Sequence, residues 1–373
     1  MRFLIVNSHY PAFLDWFYAR HPGLPDQCYA VQLDAQNASL FGVSDFFPRN
    51  LNALGHTANE LHINNCHLQA AWAREHAIPF VNGFRYCVKL RRGFVPWVRR
   101  ESSTKWMCDV LAAQIEHFRP DVILSHVIDG IHPHFWTRMS RHYKLLVGQI
   151  AAPLARRTDL RPFDLLLSSL PNYVQRFQQA GRQSKLYRLA FDPKVLEELG
   201  DVQASIDVSF VGSLSPAHRG RIRWLEHLCR RVDVNVWGYG YDQLSKNSPI
   251  RKCYRGTAWG VDMYRIIRHS RMTLNFHIGI AECYANNMRL YEATGAGTLL
   301  VTDHKQNLTD MFEPGHEVVA YQTYDDCLDR IHYYLNHESE RQKIAAGGQA
   351  RTLREHTYGI RMQELVEIVE RYL

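Results

Sequence analysis

Short apolar runs alternate with helix-forming stretches along the whole chain, and no other feature limits the fold as much. Arg2 to Val6, Glu60 to Ile63, Asp121 to His126, Leu145 to Ile150, Phe163 to Ser168 and Leu186 to Ala190 form one series. Runs this short, rich in Leu, Ile and Val, read as strands covered on both faces. Repeated strand–helix alternation builds a parallel, doubly wound sheet. Phe191-Asp192-Pro193 interrupts the series as a linker. A second series follows in Asp207 to Val211, Val234 to Trp237, Arg251 to Gly256, Met272 to Phe276, Thr298 to Thr302 and Val318 to Tyr321. A length of 373 residues suits two such cores. The expectation is an α/β chain of two domains, 1–190 and 191–357, closed by an amphipathic helix over 358–373. One early segment resists the pattern. His21 to Phe41 shows no sustained period and reads as a long loop with a short helix.

Open α/β sheets take their ligands at the carboxyl ends of strands. The stretch richest in strand-end signals is Ala281 to Asp303, AECYANNMRLYEATGAGTLLVTD. Asn286 and Asn287 suit a helix N-cap. Gly295-Ala296-Gly297 ends that helix and lets the backbone pass close to a neighbour. Glu292 lies one turn before the glycines, where a carboxylate can accept hydrogen bonds from two adjacent hydroxyls such as those of a ribose. Free N–H groups at the helix start suit a phosphate. An Arg289–Glu292 ion pair at i, i+3 accounts for the same two residues with no ligand at all.

The formal charge of +7 and the pI of about 8.9 favour an anionic partner: a nucleotide diphosphate, an anionic lipid surface or nucleic acid. Nucleic acid falls away, because helix-turn-helix, zinc-finger and RNP patterns are missing. Residues 81–106 break the strand–helix rhythm. They mix Arg85, Lys89, Arg91, Arg92, Arg99 and Arg100 with Phe84, Tyr86, Phe94 and Trp97. Such a mixture suits peripheral contact with an anionic membrane at its inner face. A solvated basic loop with its aromatics packed on the domain reads the same way. The start, MRFLIVNSHY, reads as a first strand and not as a signal peptide. The 8 cysteines form no C-x-x-C pair, which argues for reduced thiols in a cytoplasmic protein and against a zinc site.

NMRLYEATGAGTLLVTD followed by LTDMFEPGHEVVAY resembles the C-terminal nucleotide-sugar domain of GT-B glycosyltransferases, nearest to the CgeB-like or "glycosyltransferase family 1" group. The matching positions are Asn287, Arg289, Glu292, Gly295, Gly297, Thr302, Asp303 and Phe312 to Glu317. FYARHPGL, SDFFPRNLNALGH and VGQIAAPL extend the likeness over most of the chain. The resemblance implies the GT-B fold: two Rossmann-like doubly wound domains facing a cleft, with the last helix crossing back to the first domain. It implies a glycosyltransferase with a nucleotide-sugar donor on the second domain. The acceptor on the first would be a glycan, a lipid-linked molecule or a protein. It implies no cofactor and no metal. No Asp-x-Asp pair ends a strand, and a GT-B site neutralises its leaving diphosphate with Arg, Lys and helix N-termini.

On this basis the donor candidates are Gly212, Ser213, Arg219, Asn287, Arg289, Glu292 and Gly295. Arg219 is one of three arginines in HRGRIR, beside Arg221 and Arg223. Trp237, Gly238 and Tyr239, or else Tyr254 to Thr257, would meet the base, with Trp237 equally suited to the core. His126 and Asp129 after one strand, and His9 after another, are the candidate acceptor bases. Asp45, Arg49 and Asn50 in SDFFPRN would touch the acceptor, or form a helix cap with first-turn pairing. Many retaining members carry two glutamates separated by seven residues. Here Tyr284 stands eight before Glu292, and Glu282 is the nearest carboxylate. Retention of the anomer is the expectation, with inversion open. Two other classes remain: a nucleotide-sugar epimerase on the same fold, and a catalytically inactive nucleotide-sugar-binding or assembly protein.

Overall fold

The computed structural model describes residues 1–91, 95–102, 105–200 and 202–373, and of 84–102 the backbone alone. The strands of the first half are β1 (Arg2–Asn7), β2 (Thr57–His62), β3 (Phe84–Arg91), β4 (Val95–Ser102), β5 (Val122–Ser125), β6 (Leu145–Gln149), β7 (Leu165–Ser168) and β8 (Ser184–Leu186). Those of the second are β9 (Ile206–Val211), β10 (Asn235–Trp237), β11 (Tyr254–Gly256), β12 (Ser270–Leu274), β13 (Leu299–Asp303) and β14 (Val319–Tyr321). They build two 6-stranded parallel sheets with helices between the strands, in the orders β2-β1-β5-β6-β7-β8 and β11-β10-β9-β12-β13-β14. Strand order reverses between β1 and β5 in one sheet and between β9 and β12 in the other, which are the points where such sheets admit ligands.

The two carboxyl edges face each other. Asn286, beyond β12, donates through its side-chain amide to Ser169 Oγ, beyond β7. Asn172 Nδ2 donates to Ile280 O at 3.0 Å, and Arg20 pairs with Asp262 at 2.9 Å. Leu124, Phe191, Leu290, Phe312 and Met362 belong to one contiguous core that runs through both sheets, so apolar packing joins them as well. The helix Tyr358–Glu370 lies on the first half: the Tyr358 ring sits 5.2 Å from Phe46 and 5.3 Å from Phe47, and Tyr187 Oη donates to Arg361 O at 3.0 Å.

Two expectations change. His21 to Phe41 is not mostly loop, because Tyr29–Ala38 is a helix. Its buried positions are Gln32 and Gln36, so its inner face carries no apolar period to read. Residues 81–106 contain a hairpin instead of a loop, with β3 antiparallel to β4 from Phe84↔Ser102 to Arg91↔Val95. The basic and aromatic side chains expected to meet lipid, Arg92 and Phe94 included, lie outside the described residues. Asp45, Arg49 and Asn50, the candidate acceptor contacts, lie against the linker, and Arg49 also pairs with Asp45 at 3.4 Å. Arg49 pairs with the buried Asp192, Asn50 Nδ2 donates to Asp192 Oδ2 at 3.0 Å, and Asp45 holds Lys194 at 3.0 Å. Asp45 starts the helix Phe46–Ala53 without a side-chain cap, because its carboxylate is used by Lys194 and Arg49. Among the described residues, no helix is long and apolar enough to cross a membrane.

Candidate active site

A cavity of about 300 Å³ opens in the cleft. Loops after β9, β10 and β12 and the start of the helix Met288–Gly295 form most of it, and Tyr10 and Phe41 close it from the first half.

Arg221 is its least neutralised charge. Nη1 donates to Ser213 O at 3.3 Å and Nη2 to Phe276 O at 3.1 Å, and the group has no ion-pair partner among the described residues. Burial, and then the charge of Arg289, lower its pKa to about 10, so it stays cationic at neutral pH. His218 beside it is pushed down to about 4 by burial and by Arg221, and is therefore neutral. Arg289 Nη2 donates to Val211 O at 3.0 Å, and its Nη1 lies 3.0 Å from Glu292 Oε2. Glu292 is 7% exposed, and burial raises its pKa against the pull of Arg289. The ion pair and the cavity-facing position thus hold together for these two residues.

Asn287 accepts from Leu290 N at 3.3 Å as the N-cap, and its Nδ2 donates to Asn275 Oδ1 at 2.7 Å. One step on, His277 Nδ1 lies 2.6 Å from Asp303 Oδ1, which also accepts from the His277 backbone N–H at 3.0 Å. This pair pins the loop whose Phe276 carbonyl holds Arg221. Gly212, Ser213 and Gly238 line the cavity wall. Gly238 has φ +155°, and a Cβ there would stand 1.8 Å from Gly212 O. Tyr239 stacks on Trp259 at 5.3 Å and 18°, with Tyr10 at 5.7 Å. Trp259 is held against the first half by Val261 N–H, which donates to Ser39 O at 2.8 Å.

Other candidates sit elsewhere. Trp237 packs against the core that joins the sheets. Gly295 does not line the cavity; a Cβ there would stand 2.3 Å from Phe191 Cγ, so this glycine admits the linker ring. Arg219 is exposed at the start of the helix Arg219–Leu228. Glu282 pairs with Arg176 across the cleft. Helical spacing could have picked Arg221 out, since 221, 225 and 228 share the face that buries Leu225 and Leu228. For Tyr10, Phe41 and Trp259 no local signal exists, because their neighbours lie far away in sequence.

At the first sheet's edge, His126 Nδ1 faces Asn7 Oδ1 and its Nε2 lies 2.8 Å from Gln149 Oε1; the neutral ring carries one N–H and donates to one of these oxygens. Burial lowers its pKa to about 4. Asn7 Nδ2 donates to Glu60, whose pKa burial raises to about 8. His9 stacks on His62 at 4.3 Å, its Nε2 has no partner, and burial lowers its pKa to about 4. Asp129 accepts from Thr158 Oγ1 and, at 3.1 Å, from Ala155 N–H, and lines an open cavity of about 890 Å³ with His132 and Arg157.

The sequence profile of the glycosyl transferase-like family matches residues 219–367. Solved structures match over the whole chain. HepE of Anabaena in complex with UDP-glucose gives a TM-score of 0.59 at 11% identity, covering 100% of each chain. Sucrose-phosphate synthase from Thermosynechococcus elongatus gives 0.59 at 9% identity, covering 100% of this chain and 99% of that one. The chain has the GT-B fold, and the profile match falls on most of its second sheet and the helices around it. A glycosyltransferase from Rickettsia africae overlays this GT-B chain with a TM-score of 0.59 at 8% identity, covering 99% and 98%. No curated protein matches the sequence. The cavity of this GT-B chain therefore lies between its two Rossmann-like domains, at the switch point of the second.

Proposed function

We propose that the protein moves a sugar from a nucleoside diphosphate held in the 300 Å³ cavity to a hydroxyl of an acceptor on the first domain. One observation carries this reading: a buried carboxylate, Glu292, two guanidinium groups, Arg221 and Arg289, and a stacked aromatic pair share one cavity. Glu292 accepts the ribose hydroxyls. Arg221 and Arg289 neutralise the charge that grows on the departing diphosphate, without a divalent ion. Tyr239 and Trp259 offer the base a stacking surface. The UDP-glucose in HepE supports uracil as that base.

We infer a retaining transfer, in which the departing phosphate takes the acceptor proton. The cavity's carboxylate is engaged by Arg289, and His126 has both ring nitrogens facing side-chain oxygens. His9 has an open nitrogen, but a pKa of about 4 makes it a weak base at neutral pH. The acceptor binds in the 890 Å³ cavity at the ends of β5 and β6, where Asp129, His132, Thr158 and Arg157 suit a polyhydroxyl glycan. The basic and aromatic composition of residues 81–106 favours a lipid-linked acceptor at the cytoplasmic membrane face.

The test is calorimetric titration and thermal shift with UDP, GDP, CDP, TDP and their sugars. One nucleotide at a hundred times its Kd adds about 2.7 kcal/mol of stability. That gain disappears in Glu292→Ala. Folded protein stabilised by none of them ends the transferase reading. An inverted anomer in the product, seen by NMR and lost in His9→Gln, replaces retention with base catalysis by His9.

A further inference from the structure

A separate cavity of about 520 Å³ opens at the opposite edge of the second sheet, where β12 and β13 begin. Arg268, Arg271, Arg341, Ala346 and Gln349 line it, with the Glu338 carboxylate at its side. Arg341 is only 6% exposed. Its Nη1 donates to Arg271 O at 3.1 Å and its Nη2 pairs with Glu338 at 3.2 Å. Arg271 pairs with Asp207 at 3.0 Å and with the same Glu338 at 3.5 Å. Both carboxylates stand mostly in solvent, at 62% and 60% exposure, where ion pairs contribute little. Burial and then the neighbouring Arg271 lower the pKa of Arg341, against the pull of Glu338 and Asp207.

We propose that this cavity binds a phosphate-class oxyanion and that its occupancy is felt at the active site. Guanidinium forks match phosphate oxygens in geometry as well as charge. The cavity also touches the far end of the active-site helix. Arg268 Nη1 donates to Ala296 O at 3.0 Å and Gln349 Nε2 to Gly295 O at 3.0 Å. Gly297 permits this approach: at φ +77°, a Cβ would stand 2.8 Å from Arg268 Nη1 and 2.9 Å from Gln349 Nε2. These donors hold the last carbonyls of the helix Met288–Gly295, whose other end carries Asn287 and Arg289. An anion that draws on the same donors changes how that helix is held, which couples the two cavities. The anion site stands independently of the transferase reading; only its consequence for nucleotide binding rests on that reading.

Inorganic diphosphate is the probe, titrated calorimetrically. In Arg221→Ala protein, where the cleft lacks its unpaired guanidinium, diphosphate still binds. Adding Arg341→Gln weakens that binding roughly tenfold or more, the loss expected for a charge-assisted contact. Ala346→Glu, at an exposed position on the cavity wall, gives the same loss by repulsion and leaves the core untouched. In wild-type protein Ala346→Glu removes one of two diphosphate sites, or the sole site if the cleft binds none. Amide exchange over 288–297 changes when diphosphate is added to Arg221→Ala protein. The proposal is overturned by loss of all binding in Arg221→Ala, or by binding that Arg341→Gln and Ala346→Glu both leave unchanged. Binding with unaltered exchange over 288–297 overturns the coupling.

Discussion

The carboxyl edges of the two sheets occupy the same topological position and are wired in opposite ways. At the second edge Arg221 donates only to two carbonyls, and Glu292 and Arg289 line open space. At the first edge the polar groups turn on one another: Glu60 meets Asn7, Asn7 meets His126 and His126 meets Gln149. A switch point offers a place for a ligand in both sheets. It leaves a guanidinium open to a ligand at the second edge and knits most of the polar side chains together at the first, His9 Nε2 excepted. The proposed nucleotide site takes the edge with the open guanidinium, and the bonded chain from Glu60 to Gln149 holds the other edge together.

The contrast is broken most completely at Gly238. Its φ of +155° disfavours any L side chain, and the atom a Cβ would strike is the backbone oxygen of Gly212. Backbone cannot swing aside as a side chain can, so the loops after β9 and β10 must part. Gly238→Ala should cost roughly 2–5 kcal/mol, the sum of backbone strain and overpacking. Thermal unfolding measures the loss, and nucleotide binding disappears with it. A variant that melts like wild type and still binds would show this wall to be yielding, and the second edge less organised than described. Arg221→Ala comes next: nucleotide affinity falls about ten- to a hundredfold, the loss of charge-assisted hydrogen bonds, with a smaller change in melting temperature. Arg219→Ala, two residues away and exposed, leaves affinity unchanged in the same titration. Equal losses in the two variants would mean that the cleft field matters and the position of the guanidinium does not.

That arginine pair also marks what could be read from the chain beforehand. The strand–helix alternation, and the helix that carries Asn287, Arg289 and Glu292, depend on neighbours within a few residues, so their pattern is legible. Arg221 was within reach through the 3.6-residue period of its own helix. The aromatic wall was not, because Tyr10 and Phe41 meet Tyr239 and Trp259 only after two sheets have packed face to face. Gly295 shows the same limit. A glycine at a helix end signals close approach, but nothing local says that Phe191, over a hundred residues earlier, is what approaches. For Arg49 the pairing with Asp45 within its own helix start was legible, but the contact of Arg49 and Asn50 with Asp192 was not, because Asp192 lies in a linker whose path the local sequence does not record.

The smallest effect on binding, and the sharpest probe of the first edge, is Glu60→Gln. Burial raises the Glu60 pKa to about 8, so at neutral pH the carboxyl is largely protonated, and a neutral amide of similar shape replaces it at little cost. The sign follows from linkage. A carboxyl whose folded pKa lies above its unfolded value holds its proton longer in the native state. Its contribution is present in full below the unfolded pKa, near 4.5, and is lost as pH rises toward 8. The histidines act in the other direction. His9 and His126, lowered to about 4, are neutral in the native state and take up protons more readily when unfolded. The stability they confer is lost as pH falls from 6.5 toward 4. Wild-type melting temperature should therefore peak in mildly acidic to neutral buffer and decline on both sides. Glu60→Gln flattens the alkaline decline, leaves the acid one in place, and does not change nucleotide affinity. A variant whose alkaline limb matches wild type would mean that Glu60 is already ionised in the native protein. The first edge would then carry an unmatched charge of its own, and the contrast between the two edges would fail.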